Sequence, residues 1–273
     1  MTSAVGPFAV DSGLVTSQES GDMTVRIHNT NTGKLIDATF PVVDGEASSR
    51  GDFTIDGVEG TGARVELAFL NPAGSRTGAL LPTGNAVDVI DGIKVSLVDC
   101  GNPCCFVSAK DLSTDGHILP DAIAEDPKLL RTLEAIRRKA SVLMGLSMDT
   151  TSAAGSVPKI SMISKASTHT LLSGKIMKQS DIDLQIRAIS VGQPHRAVPV
   201  TVAMAVAAAA KIPGSVVHSM KGDVENIDTT GLTLGHPSGK IVVGANFDNR
   251  GAVTDAIVYR TSRRLMDGNV YWR

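Results

Sequence analysis

The sequence has few aromatic residues, no apolar run of membrane-spanning length and no block of basic residues. Phe, Trp and Tyr make up 3% of its 273 residues, and the net charge of −2 comes from mixed signs. This composition argues against a nucleic-acid partner, because base stacking needs aromatic rings and phosphate binding needs clustered cations. No apolar run approaches the roughly 20 residues of a membrane-spanning helix, and no signal-peptide pattern opens the chain. We expect a soluble, cytoplasmic protein with no membrane contact.

Cysteine is also scarce, with three residues at Cys100, Cys104 and Cys105. Adjacent residues of a strand point to opposite faces, so Cys104 and Cys105 are badly placed to share one metal ion. No His or Cys pair elsewhere has zinc-finger spacing. The pattern favours small buried residues in a strand. A reactive thiol at the edge of a pocket is the alternative.

The sequence does contain one long apolar stretch, from Val198 to Ala210, in which Thr201 is the only polar side chain. Ala and Met favour helix, Pro199 suits a first turn, and Ile212-Pro-Gly214 supplies the stop. A helix that is apolar all round must be buried all round. About a dozen residues are too few to cross a membrane. The stretch therefore predicts a core helix wrapped by sheet.

The loop before this helix is polar and brings His195 and Arg196 to the helix start. The first turn of a helix has free N–H groups and the positive end of the helix dipole, so it attracts anions. The loop therefore predicts a carboxylate or phosphate pocket. The alternative is that both side chains only cap and solvate the helix. Asn102 interrupts a strand pattern between Gly101 and Pro103, which makes its amide either a ligand or part of a plain turn.

Most of the remaining sequence predicts short strands. Residues 23–28 and 34–43 alternate on either side of a turn cluster and predict a hairpin. Residues 126–145 form an amphipathic helix pattern that starts at Asp126. A second, mainly apolar helix is predicted near residues 4–15. Many short strands around two apolar helices indicate an α+β protein whose curved sheets enclose the helices.

Eight short segments add a more specific pattern. They begin at Ser3, Arg26, Gly60, Leu80, Asp99, Gln193, His236 and Tyr259, and they read SAVGPFA, RIHNTNTG, GTGA, LLPTGN, DCGNP, QPHRA, HPSG and YRTSRRLM. Taken in this order, they closely resemble the PrpF family, which contains aconitate and methylitaconate Δ-isomerases and oxalomesaconate tautomerases. The resemblance covers essentially the whole chain.

The resemblance implies a diaminopimelate-epimerase-like fold of class α+β. Such a fold has two similar domains, each a mixed β-sheet rolled around a central helix, with the site in the cleft between them. The first domain, which is incomplete, would take residues 1–92 with 263–273 returning to it, and the second would take 93–262. Open strand edges of an incomplete sheet favour association, so a homo-oligomer is an expectation.

The resemblance also implies an isomerase that shifts a carbon–carbon double bond by moving a proton. The substrate would be a small unsaturated di- or tricarboxylic acid: aconitate, methylaconitate, methylitaconate or oxalomesaconate. Apart from further copies of this chain, no other partner is expected. Such chemistry needs a base, an acid, and donors that hold the carboxylates and the developing charge. The resemblance implies no metal and no organic cofactor.

Residue by residue, the resemblance gives six substrate-binding candidates. Asn102 matches a position whose amide contacts substrate, and Ser238 matches a polar group near the cleft. The 193–197 loop and the first turn after it match a helix start that holds a carboxylate. Ser3 matches the other helix start. The six candidates are Ser3, Asn102, His195, Arg196, Thr201 and Ser238.

The catalytic residues stay unassigned, because the chain departs from the family there. The family's favoured acid and base are a Cys in a Cys-Gly-Asn motif directly before the position of Met1, and a Lys earlier still. Neither has a counterpart in this chain. The first interpretation is an active isomerase whose chain start was placed at an internal Met. The second is a truncated polycarboxylate-binding protein without catalysis. From these 273 residues alone we expect weak binding and little turnover.

An amino-acid epimerase of the same fold is a third hypothesis. Such enzymes carry paired cysteines at the two helix starts, whereas the second start here reads Gln193-Pro-His-Arg196. Racemisation of a free amino acid would distinguish this hypothesis from an isomerase.

Overall fold

The computed structural model describes residues 2–30, 32–221, 225–266, 268 and 271. The chain divides into two compact units, which are Met1–Leu70 with Tyr259–Arg273, and Asn71–Val258. The domain bounds expected from the sequence, 1–92 with 263–273 and 93–262, stay a prediction. Residues 267, 269, 270, 272 and 273 of that returning segment lie outside the described residues.

The first unit is an antiparallel sheet with one helix. Its elements are α1 (Thr2–Asp11), β1 (Ser20–Asn29), β2 (Lys34–Val43), β3 (Glu46–Ala47) and β4 (Arg64–Leu70). Strands β1 and β2 form the predicted hairpin, with Ser20 opposite Val43 and Asn29 opposite Lys34. Gly33 ends the connecting turn at φ +65°, in the left-handed region that favours glycine. Strands β3 and β4 both pair antiparallel with β2.

Helix α1 is covered on one face only. Its buried residues are Gly6, Ala9 and Val10, whereas Phe8 is 61% exposed. A Cβ on Gly6 would lie 2.6 Å from the ring of Phe40, so the helix packs tightly on β2 at that point. The complete burial expected from its composition is therefore not seen within this unit.

The second unit is built on a mixed sheet. Its main strands are β5 (Asp88–Ile90), β6 (Ile93–Asp99), β7 (Pro103–Ser108), β8 (Lys159–Lys165), β11 (Leu184–Ser190), β13 (Leu232–His236), β14 (Gly239–Phe247) and β15 (Val253–Thr261), in that spatial order. Short strands are β9 (His169–Thr170), β10 (Ile176–Met177) and β12 (Gln193–Pro194). The pairs β7–β8 and β11–β13 are parallel, and the other neighbouring pairs are antiparallel.

Helices cover this sheet. They are α2 (Pro120–Ala124), α3 (Pro127–Leu143), α4 (Val200–Ala210) and α5 (Val216–Lys221), with 3₁₀ turns at Lys110–Leu112 and Gln179–Asp181. Helix α3 confirms the predicted amphipathic helix, because the Asp126 carboxylate accepts hydrogen bonds from the N–H groups of Lys128 and Leu129. Its apolar face, including Leu133 and Ile136, belongs to one buried cluster with Ile160 and Met162 of β8.

Helix α4 confirms the prediction of a buried core helix. Its residues from Val202 to Ala209 are 0–3% exposed, and it packs against β14, β6, β7 and α5. The alanine-rich surface permits this close enclosure, because Met204 is the one long side chain on the helix. Among the described helices, none is long and apolar enough to cross a membrane.

Candidate functional site

The start of α4 has free hydrogen-bond donors. Pro199 is the N-cap residue, and no side chain in the described part of the chain caps the helix there. The N–H of Ala203 donates to the Pro199 carbonyl at 3.0 Å and begins the helical ladder. The N–H groups of Val200, Thr201 and Val202 precede that ladder and have no partner within it. With the helix dipole, they form a positive end that suits a carboxylate.

The turn that carries Asn102 lies against this helix start. Gly101 has φ +75°, and a Cβ there would lie 2.8 Å from Met204 Cε and 4.0 Å from Thr201 Cγ2. The glycine thus allows the turn between β6 and β7 to approach the first turns of α4. Asn102 is half-buried, and its Nδ2 donates to the Pro103 carbonyl at a long 3.4 Å. The Asn102 amide therefore retains capacity to bind a ligand.

Two hydrogen bonds fix the loop that contains His195 and Arg196. The His195 N–H donates to the Ala188 carbonyl at 2.8 Å, and Ser238 Oγ donates to the Arg196 carbonyl at 2.7 Å. Ser238 lies in the turn between β13 and β14, so it acts here on the loop backbone. The Arg196 guanidinium is exposed and lies 3.8 Å from the exposed carboxylate of Asp121. Such an ion pair contributes little, which leaves Arg196 available to a ligand.

The His195 ring is uncharged at neutral pH. Its Nε2 atom is buried and has no hydrogen-bond partner among the described residues. Burial, and secondly the positive charge of Lys159, lower the pKa of His195 below its usual value. The ring therefore takes up a proton less readily than an exposed histidine does.

Sequence reasoning missed one group at this site, Lys159. It begins β8, lies opposite Cys104 in the parallel pairing with β7, and donates from Nζ to Ser190 Oγ at 2.8 Å. The available signal was a lysine at the head of an otherwise apolar strand, KISMIS, directly after Pro158. A lysine is unusual in this strand, because the residues of an apolar strand are mostly buried in the core and lysine rarely is.

Five of the six predicted binding residues thus lie in one unit. Asn102 and Thr201 flank the start of α4, while Ser238 joins the loop of His195 and Arg196. Ser3 lies in the first turn of α1, in the other unit, and is half-buried. The roles of all six in substrate binding stay predictions.

The three cysteines are buried, as the sequence favoured. Burial raises the pKa of Cys104 well above its usual value, and burial together with Asp88 raises the pKa of Cys105 to about 12. Both are therefore protonated thiols at neutral pH and poor acid–base groups. Among the residues that the structure describes, no group of three His, Cys, Asp or Glu could hold a metal ion.

His195→Gln is expected to reduce the loss of stability on acidification. Folding lowers the pKa of His195, so below about pH 6.5 the unfolded chain binds a proton that the folded chain excludes. The free energy of unfolding therefore falls as the pH drops through this window, and Gln removes that contribution. Urea midpoints at about pH 7.5 and 5.5 measure the difference. The exposed His28→Gln variant should follow the wild type, and equal acid sensitivity of His195→Gln and wild type would contradict the assignment.

The chain is similar to known proteins over nearly its whole length. The profile of the PrpF family, described as PrpF protein, matches residues 1–273. The chain is 39% identical to the 3-methylitaconate isomerase of Eubacterium barkeri, over 99% of this chain and 72% of that protein. It is 37% identical to the 2-methyl-aconitate isomerase of Shewanella oneidensis, over 99% of this chain and 71% of that protein. A solved methylitaconate-delta-isomerase structure, 39% identical, superposes with a TM-score of 0.91 over 98% of this chain and 70% of that one.

These similarities first define the class of protein, because the fold is that of a solved isomerase. The α+β, epimerase-like fold class expected from the sequence is confirmed. The chain belongs to the PrpF family. It is an isomerase of the PrpF type, as the resemblance implied.

Proposed function

We propose that this chain shifts a carbon–carbon double bond in a small unsaturated di- or tricarboxylic acid, with one substrate carboxylate held at the start of α4. The observation that carries the proposal is the uncapped start of this buried helix beside Asn102. Relatives named for 3-methylitaconate and 2-methyl-aconitate support this substrate class. A cytoplasmic location is part of this proposal.

The reaction conserves every atom of the substrate. A base removes a proton from a carbon next to the activated double bond, and the electron pair spreads into a dienolate-like anion that reaches a carboxylate. An acid returns a proton at the far end of the system, so the double bond moves by one position. Fixed N–H donors at the carboxylate stabilise this anion more than they stabilise the substrate, and so they lower the barrier.

Within the site, each group has a distinct proposed task. The free N–H groups of Val200 to Val202 hold the carboxylate, and the Asn102 amide fixes its orientation. Ser238 holds the loop by its bond to the Arg196 carbonyl. The exposed Arg196 side chain, which is weakly engaged by Asp121, is free to meet a further carboxylate.

Proton NMR in D₂O with trans-aconitate and with methylitaconate tests the proposal. Isomer signals together with deuterium uptake into the substrate would support the isomerase proposal. Binding without exchange or isomer signals would contradict the isomerase proposal for these 273 residues. It would instead match the little turnover expected from the sequence and favour a polycarboxylate-binding protein. Exchange at the α-carbon of a free amino acid would favour the epimerase hypothesis.

In the same experiment, the Asn102→Asp variant tests whether a substrate carboxylate binds beside residue 102. A negative charge beside the start of α4 should weaken polycarboxylate binding by about tenfold or more, because like charges in contact cost several kcal/mol. Asn249→Asp, the same substitution in an exposed turn of the same unit, should leave binding unchanged. Equal affinities for the two variants would remove Asn102 from the site.

A further inference from the structure

The Lys159 ammonium has no counter-ion among the described residues. Lys159 is half-buried, and the four residues after it, Ile160 to Ile163, are 0–1% exposed. The only hydrogen bond of Nζ within the described chain goes to Ser190 Oγ, at 2.8 Å. A hydroxyl oxygen satisfies one of three N–H donors and carries no charge. A cation drawn this far from water normally has an anionic partner, because desolvation of an unpaired charge is costly.

The position of Lys159 brings its ammonium close to His195, in the loop that leads to α4. Lys159 pairs with Cys104, two residues after Asn102 in the turn that touches Thr201 and Met204. Its partner Ser190 pairs with Gln193, two residues before His195. The charge of Lys159 also acts on the His195 ring and lowers its pKa. The β6–β7 turn, the start of β8, the end of β11 and the loop before α4 therefore converge around this ammonium.

Apart from Arg196, whose side chain is exposed, the charge at this site is small for the proposed substrate. A helix start supplies the equivalent of about half a positive charge, and the His195 ring is neutral near pH 7. A di- or tricarboxylate brings two or three negative charges. A full positive charge beside the helix start corrects the imbalance, and among the described side chains Lys159 supplies it from a half-buried, pre-positioned location.

We propose that Lys159 forms an ion pair with a substrate carboxylate at the start of α4, while Ser190 positions its ammonium. This inference rests on the proposed function, and it deepens it by assigning a charge-pairing residue to the same site. It also makes the number of carboxylates on the ligand a determinant of affinity. Acids with two or three carboxylates should therefore depend on Lys159 more strongly than crotonate, which has one.

Isothermal titration of the full chain with trans-aconitate tests the assignment. Lys159→Met, which keeps the length of the side chain and removes the charge, should weaken binding about tenfold or more, whereas Lys159→Arg should retain part of it. The control is Lys165→Met at the exposed far end of the same strand, which should bind like the wild type. The loss for Lys159→Met should shrink for crotonate and at high salt. A merely structural role would not produce that charge dependence.

The outcomes separate the two levels of the proposal. If the wild type binds none of the acids, the proposed function fails. If the wild type binds trans-aconitate and Lys159→Met binds within twofold of it, the function stands and the role of Lys159 is refuted. An equal loss for mono- and tricarboxylates also refutes the ion pair. Should Lys159→Met fail to fold, Lys159→Gln and Lys159→Arg carry the same comparison, with Gln expected to lose binding and Arg to retain it.

Discussion

Asp99→Ala is expected to lower the free energy of unfolding by about 3–5 kcal/mol. The Asp99 side chain is fully buried at the end of β6. Its carboxylate accepts hydrogen bonds from Ser75 Oγ, from the N–H groups of Arg76 and Thr77, and from Thr77 Oγ1. Alanine would leave these part-buried donors without their acceptor. The loop before β5 would then keep only its backbone hydrogen bonds to this end of β6, such as that from the Gly74 N–H to the Asp99 carbonyl.

Asp99→Asn should cost much less, about 1–2 kcal/mol. The amide oxygen can take the place of Oδ2, which accepts three of the four bonds, and the Ser75 hydroxyl can rotate to accept from the amide nitrogen. Urea unfolding gives the free energies, and hydrogen exchange of the Arg76 and Thr77 amides reports the loop itself. Asp248→Ala, in an exposed turn where the carboxylate also accepts from backbone N–H groups, is the control. Equal costs at Asp99 and Asp248 would show that burial does not set the effect.

Gly101→Ala is expected to destabilise the chain by about 2–4 kcal/mol, from two separable causes. Gly101 has φ +75°, where a side chain adds strain, and the new Cβ would lie 2.8 Å from Met204 Cε. Met204 is 1% exposed within α4, so its methyl group has little room to move. Any shift of this turn also moves Asn102, so the affinity for trans-aconitate should fall with the stability.

Two further variants separate the cost of backbone strain from the cost of the contact with Met204. Gly84→Ala has nearly the same backbone angle, φ +78°, with no atom within 4 Å of the new Cβ, so it measures strain alone, about 1–2 kcal/mol. Met204→Leu removes the Cε atom, and the double variant Gly101→Ala/Met204→Leu should recover the part of the cost that comes from contact. Additive effects of the two substitutions in urea unfolding would contradict the contact.

Features that depend on residues adjacent in the sequence could be predicted from the sequence. The run of Ala and Val in α4 permits no polar face, so burial follows from composition, and the Asp126-Pro127 pair defines the start of α3. Composition misleads for α1, because a run of apolar residues does not show how many neighbours are present to cover them. Within its unit only one face of α1 meets the sheet, through Gly6 and Phe40.

The candidate site was predicted only in part, for the same reason. Asn102 and His195 lie beside turn and helix-start signals that can be recognised locally. Lys159 becomes visible only through the parallel pairing that places it against Cys104 and through its bond to Ser190. The position of Ser238 was predicted, yet its bond to the Arg196 carbonyl joins residues that are far apart in the sequence. Spacing rules carry no information about such partners.

The division of the chain into units has a consequence for its synthesis. Residues 2–70 leave the ribosome before the second unit, but several of their contacts are made by residues that follow it. The Tyr259 ring lies 6.3 Å from that of Phe53, and Arg264 Nη2 bonds the Asp11 carboxylate at 2.9 Å. Between them lie the 188 residues of 71–258, which take roughly 10–40 s to translate at about 5–20 residues per second. The second unit is contiguous and can fold during that time, so the unit that is made first is the last to be completed.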